Sequence, residues 1–124
     1  MIHLDTNYVI ALVTAHSPLN PVLQGWLQAG ETLAVSAVAW SEFLTGPVTP
    51  QQVRDVSAIL ESRVVVFGVF EAAMAARLYN QTGRKRGTRS DCFIAATAIC
   101  ARAPLATNNR AHFLPFVAGG LQLI

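Results

Sequence analysis

Charge is scarce in this sequence. Only 13% of its 124 residues are Asp, Glu, Lys or Arg, against 52% apolar ones, and the mean hydropathy is +0.40. A disordered, charge-rich tail is excluded, and one compact domain spanning 1–124 with a generous core is expected. Lysine is almost missing: Lys85 is the single one, and nine basic against seven acidic residues leave a formal charge of +2. That excess permits a nucleic-acid partner but falls far short of the whole-domain positive field that announces one. Long apolar runs are absent as well, since Asp5, Asn7 and His16 interrupt the apolar start and no later stretch approaches the ~20 residues needed to cross a bilayer. No positive segment precedes an apolar one at the start, which argues against a secretory signal and predicts the cytoplasm. Cys92 and Cys100 fall on one predicted helix, roughly 12 Å apart by its rise and too far for a disulfide. They are expected as reduced core thiols. His3, His16 and His112 share no ligand spacing with them, so a metal held by nitrogen and sulfur is not indicated.

What is present alternates between strands and helices. Met1–Leu4 is a short apolar strand, and Thr6 is a plausible cap for the run Tyr8–Val13. Val22, Leu23, Trp26 and Leu27 recur at helical spacing until Gly30. Thr32–Val35 is the next strand, Ser36 can cap the helix Val38–Leu44, and Gly46-Pro47 ends it. Thr49-Pro50-Gln51-Gln52 combines a capping Thr, Pro in the first helical position and Gln at the reciprocal capping position. Val53, Val56, Ile59 and Leu60 give that helix its buried face. Val64–Phe67 is a β-branched run without alternation, the pattern of a strand covered on both faces. Phe70, Met74 and Leu78 define a further helix. A polar loop, Gln81–Thr88, leads to a helix over Asp91–Arg102, ended by Pro104. Leu105-Ala106 is a minimal strand, Thr107–Phe113 a polar loop, and Leu121–Ile124 a terminal strand. The economical assembly is an α/β fold, a mostly parallel four- or five-stranded sheet flanked by helices on both faces. Such sheets carry their sites at the carboxyl ends of the strands.

With seven acids to cover a surface, the place of each is informative. Glu31, Asp55, Glu61 and Glu71 sit near helix ends or on polar faces, where solvation explains them. Asp5 follows an apolar strand and precedes an apolar helix, Glu42 lies among Val38, Trp40, Phe43 and Leu44, and Asp91 leads a nearly all-apolar helix after the capping candidate Ser90. Each has a plain reading as a cap or a helix-dipole charge. Three such acids at corresponding edges of one small sheet are better read as a cluster. Clustered carboxylates raise one another's pKa and call for a cation. An oxygen-only donor set favours a hard ion, Mg²⁺ or Mn²⁺, and the chemistry it supports is phosphodiester hydrolysis. Just before Asp91, the segment Gly83-Arg84-Lys85-Arg86-Gly87-Thr88-Arg89 gathers four of the nine basic residues. Beside carboxylates that repel a polyanion, Arg84, Lys85, Arg86 and Arg89 are expected to make salt-sensitive contacts to RNA or DNA.

Together, Ile2-His3-Leu4-Asp5-Thr6-Asn7, Trp40-Ser41-Glu42-Phe43, the helix opening Asp91-Cys92-Phe93-Ile94 and the loop Leu105-Ala106-Thr107-Asn108-Asn109-Arg110 ahead of Phe113 resemble the PIN-domain ribonucleases. The likeness is to the VapC-like toxins of toxin-antitoxin pairs in particular, and it covers essentially the whole chain. It implies a Rossmann-like fold, Mg²⁺- or Mn²⁺-dependent endoribonuclease activity, a homodimer, and inhibition by a cognate antitoxin. By position, Asp5, Glu42 and Asp91 match the family's first three acids and Asn109 the fourth. His112 stands where members often carry Asp before the Phe. A fourth carboxylate is therefore absent, and one bound metal, or activity that needs high metal concentration, is expected. Thr6 and Thr107 are read as hydroxyls that hydrogen-bond the carboxylates and fix their rotamers. His3 and His112 are read as packed or surface histidines.

Two rivals compete. An aspartyl phosphotransferase of the haloacid-dehalogenase kind needs a second acid two residues after the first, where this chain has Asn7. The other is a PIN-like module with a weakened metal site that acts only by binding nucleic acid or protein, for which Asn109 is the main support.

Overall fold

The computed structural model describes every residue from 1 to 124. The chain runs β1 (Ile2–Leu4), α1 (Thr6–Ala11), α2 (Asn20–Gln28), β2 (Leu33–Ser36), α3 (Ala37–Thr45), α4 (Pro50–Ile59), β3 (Val64–Val65), α5 (Val69–Gln81), α6 (Arg89–Cys100), β4 (Leu105–Ala106) and α7 (Arg110–Phe113), then a 3₁₀ segment, Leu114–Gly119. The four strands form one parallel sheet in the order β3-β2-β1-β4. Ile2, His3 and Leu4 align with Leu33, Ala34 and Val35 on one side. On the other side His3 and Leu4 align with Leu105 and Ala106.

Burial explains why these short segments pair. Successive strand side chains point to opposite faces, and Ile2, His3 and Leu4 are all buried, as are Leu33 through Ser36. Both faces are therefore covered, as a parallel sheet requires. The α/β/α architecture expected from the sequence is what the chain adopts.

The local signals divide. Thr49 caps α4 with a complete capping box: the Gln52 N–H donates to Thr49 Oγ1 at 3.1 Å, and the Thr49 N–H donates to Gln52 Oε1 at 2.9 Å. Ser36 caps α3 by accepting from the Ala39 N–H at 3.0 Å. At α1, however, the cap is Asp5 and not Thr6, which is the first helical residue. At α6 the helix begins at Arg89 with Thr88 as N-cap, so Ser90 caps nothing.

The strand expected over Val64–Phe67 shrinks to Val64–Val65, because Val66 turns out to solvent at 74% exposure. Phe70 likewise belongs to no buried face of α5, being 82% exposed, while Met74 and Leu78 do pack inward. The terminal strand is reduced to one parallel bridge, Leu105 to Leu123, beside β4. Cys92 is a buried thiol, but Cys100 is exposed and so lies outside the core. At the carboxyl end, Phe113 and Phe116 are fully buried and meet edge to face at 6.0 Å, which pins α7 and the residues before it to the sheet edge.

Candidate active site

The strand order places a switch point at β1: from it the chain builds β2 and β3 to one side and β4 to the other, and sites of such sheets lie at the carboxyl ends of the strands there. Asp5 leaves β1 there and Thr107 leaves β4, and the backbone N–H of Asp5 donates to the Ala106 carbonyl at 2.9 Å.

Asp5 is held on both oxygens. Its backbone is extended (φ −69°, ψ 161°), and Oδ1 accepts from the Thr6 N–H at 2.8 Å. Oδ2 accepts from Thr107 Oγ1, also at 2.8 Å. The same Thr107 oxygen accepts from the Asn109 N–H at 3.0 Å, tying the loop after β4 to the carboxylate. Thr6 serves a second acid, since its hydroxyl donates to Glu42 Oε1 at 2.8 Å. Glu42 reaches this point from the exposed side of α3, which follows β2. Asp91, half-buried in the first turn of α6, lies near enough for their charges to act on it but shares no hydrogen bond with either.

The three acids feel one another. Burial pushes the Asp5 carboxyl above the usual carboxylate range and the Glu42 charge adds to this, while the Thr107 and Thr6 donors and His112 pull it back. Asp91 is raised by burial first, then by the charges of Asp5 and Glu42, with His112 opposing. No lysine or arginine answers this negative charge. The ion pairs of the chain are Arg63 with Glu61 at 2.7 Å and His112 Nδ1 with Asp91 Oδ2 at 3.7 Å. The donors are oxygen-only and under-neutralised, which fits a hard divalent ion. They do not close on one point, however: no three His, Cys, Asp or Glu side chains stand together as a group able to hold an ion by themselves. An ion here would keep much of its water shell, as Mg²⁺ does.

The remaining predicted residues separate. Asn109 is exposed at the start of α7, and its side chain makes no hydrogen bond, although its N–H belongs to the Thr107 link. Lys85 and Arg86 line the same concavity as Asp91. Arg84 and Arg89 lie against α5, where Arg89 stacks 4.8 Å over the Tyr79 ring. His112, read from the sequence as a packed or surface residue, stands at the site's edge on α7. Its side chain is exposed, as a surface histidine's is, and the buried Phe113 beside it fixes its place.

A family model described as PIN domain matches residues 2–114. No curated protein matches the sequence. Among solved structures, the chain is similar to FitAcB from Neisseria gonorrhoeae, with 23% identity and a TM-score of 0.74, covering 100% of this chain and 96% of that one. It is also similar to a toxin-antitoxin complex from Klebsiella pneumoniae, with 23% identity, a TM-score of 0.75 and coverage of 100% and 96%. A third is VapBC-1 from nontypeable Haemophilus influenzae, with 25% identity, a TM-score of 0.68 and coverage of 100% and 97%. With nearly its whole length matched by that family model, the chain belongs to the PIN domain family.

Proposed function

We propose that this protein is a Mg²⁺- or Mn²⁺-dependent endoribonuclease, the toxin of a type II toxin-antitoxin pair acting in the cytoplasm. The observation that carries the reading is that Thr6 joins Asp5 and Glu42 while Asp91 stands nearby on α6, and none of the three makes an ion pair with a lysine or arginine. Asp5 and Asp91 would hold the ion with Glu42 beside them. When bound, the ion supplies an acidified, oriented water and neutralises charge building on the phosphate. Thr107 and Thr6 hold the Asp5 oxygens in one orientation, and Thr6 holds Glu42. Asn109 and His112 add no carboxylate, which supports a single ion over a pair. The test is incubation of total RNA with and without Mg²⁺ or Mn²⁺, with the fragment ends mapped. Metal-dependent cuts at defined positions are expected.

One observation favours a second reading. Because no three donors are closed around a point, a PIN fold that binds nucleic acid or protein without cutting it also fits. Intact RNA at every metal concentration, with RNA still bound, would establish that alternative.

Thr107→Val should separate orientation from charge. It keeps the size of the side chain and removes the donor to Asp5, so a 10–100-fold loss of metal affinity or rate is expected. Isothermal titration with Mn²⁺ reads the affinity. An unchanged affinity together with an unchanged rate means the hydroxyl is only a loop contact.

The partners in this reading are a cognate antitoxin and a second copy of the chain. The fold shared with a toxin-antitoxin complex supports the first. The second is supported by Val66, Val69 and Phe70, three large apolar side chains that are 74%, 83% and 82% exposed within one turn of chain. In light scattering, the wild type should weigh two chains and Phe70→Glu one. A wild-type mass of one chain rules the pairing out.

A further inference from the structure

The cations between α5 and α6 differ in their surroundings: Lys85 faces only the cavity that holds Asp91, whereas Arg86 borders both that cavity and a shallow hollow shared with Tyr79, Arg84 and Arg89. Arg84 folds back along α5, its Nε donating to Asn80 Oδ1 at 3.0 Å, and Arg89 stacks on Tyr79. Both line an open cleft of about 730 Å³ between α5 and α6, walled by Phe67, Ala75 and Phe93 and containing none of the three clustered acids. Lys85 and Arg86 line a separate concavity of about 250 Å³, together with Thr88, Asp91 and His112. Asp91 thus belongs both to the carboxylate cluster and to a cavity that carries two cations.

Neither cation is engaged. Lys85 and Arg86 make no ion pair and no side-chain hydrogen bond, and both are exposed. They stay unpaired although Asp91 shares their cavity. The space is smaller than the ~300–1,000 Å³ of pockets that enclose a drug-sized ligand, so it suits one segment of a longer chain. Its polar, cationic lining selects an anionic segment, and Asp91 on its wall joins it to the acids.

We propose that this cavity is a phosphate subsite. It takes the phosphodiester next to the one being cut, on a single nucleic-acid strand, through Lys85 and Arg86, and Arg84 and Arg89 take no part in holding substrate. The proposal rests on the nuclease reading above and adds the path of the strand: away from Asp5, past Asp91 and His112, and over the α5–α6 loop.

The test compares the wild type with Lys85→Gln/Arg86→Gln and Arg84→Gln/Arg89→Gln. Binding of a labelled single-stranded RNA oligonucleotide is followed by anisotropy in EDTA over a series of salt concentrations, and cleavage of the same RNA is assayed in parallel with Mn²⁺. Each lost contact to a single strand lowers the slope of log affinity against log salt by about 0.7. The Lys85/Arg86 pair should therefore lose about 1.4 from the slope, while the Arg84/Arg89 pair keeps the wild-type slope. Equal losses in both pairs, or a loss only in Arg84/Arg89, overturn the subsite and leave the nuclease reading standing. A wild type that neither binds nor cuts the RNA overturns that reading, and the subsite with it. A last arm measures the melting temperature with inorganic phosphate alone. Stabilisation that depends on Lys85 and Arg86, with no effect of those residues on RNA binding, identifies a pocket for a free anion and overturns the backbone assignment.

Discussion

Asp5→Asn is expected to lower metal-dependent RNA hydrolysis by about three orders of magnitude. Two features of the site set that size. Asp5 is the most enclosed of the three acids, 5% exposed, and the only one with a donor fixed on each oxygen. Asparagine keeps the shape and one acceptor but removes the charge. Stabilisation of transition-state charge by a bound metal is worth several kcal/mol, and about 4 kcal/mol corresponds to about 10³ in rate. The fold should persist, because the charge that is lost was repelled by Glu42 and Asp91. Melting curves give a second readout. Mn²⁺ at ten times its dissociation constant stabilises the native state by about 1.4 kcal/mol, which is about 5 °C for a chain of this size. The wild type should show that rise and Asp5→Asn should not. Hydrolysis at an undiminished rate by the variant removes Asp5 from the reaction.

A second large effect concerns stability and pH. His3 lies on β1 at 1% exposure, with its Nε2 unpartnered, and burial lowers its pKa from 6.5 to about 4. The unfolded chain takes up a proton near pH 6.5 that the native protein refuses until about pH 4. Stability is therefore whole above pH 6.5 and falls as pH drops through that window. At 1.36 kcal/mol per pH unit, the loss approaches about 3 kcal/mol at pH 4. Asp5 and Asp91 act with the opposite sign, since carboxyls raised in the fold gain stability on protonation. The contrast of wild type with His3→Gln isolates the histidine. In urea titrations with EDTA, their difference in unfolding free energy should shift against the wild type by about 3 kcal/mol between pH 7 and pH 4. A difference that stays constant with pH means His3 finds a partner or water in solution.

Local chemistry made the helices legible. Thr49 and Gln52 specify the start of α4 with their own side chains, and Ser36 does so for α3, so neither needs the rest of the molecule. The link between Asp5 and Glu42 was legible for a different reason: a carboxylate among apolar neighbours calls for a partner, and Thr6 serves both. The strand end at Val66 was not. A β-branched run reads the same whether a helix covers it or the sheet edge leaves it open, and Val66 and Phe70 lie where nothing in this chain covers them. The basic segment showed its charge but not its direction, because the turn through Gly83 and Gly87, both at positive φ, decides that Lys85 faces the Asp91 cavity while Arg84 and Arg89 lie along α5. His112 was legible as a surface histidine, but its approach to Asp91 depends on Phe113 and Phe116 filling the core, a long-range event with no local signature.

The hydrogen bond between Thr107 and Asp5 spans 102 residues of chain. Contacts so remote in sequence form late in folding, after the entropy of closing the intervening loop has been met. At about 5–20 residues per second, a ribosome needs roughly 5–20 s after making Asp5 before it reaches Thr107. Throughout that interval β1 lacks its β4 neighbour and the carboxylate lacks its hydroxyl. A nascent chain therefore carries Asp5 without its Thr107 donor until it is nearly finished.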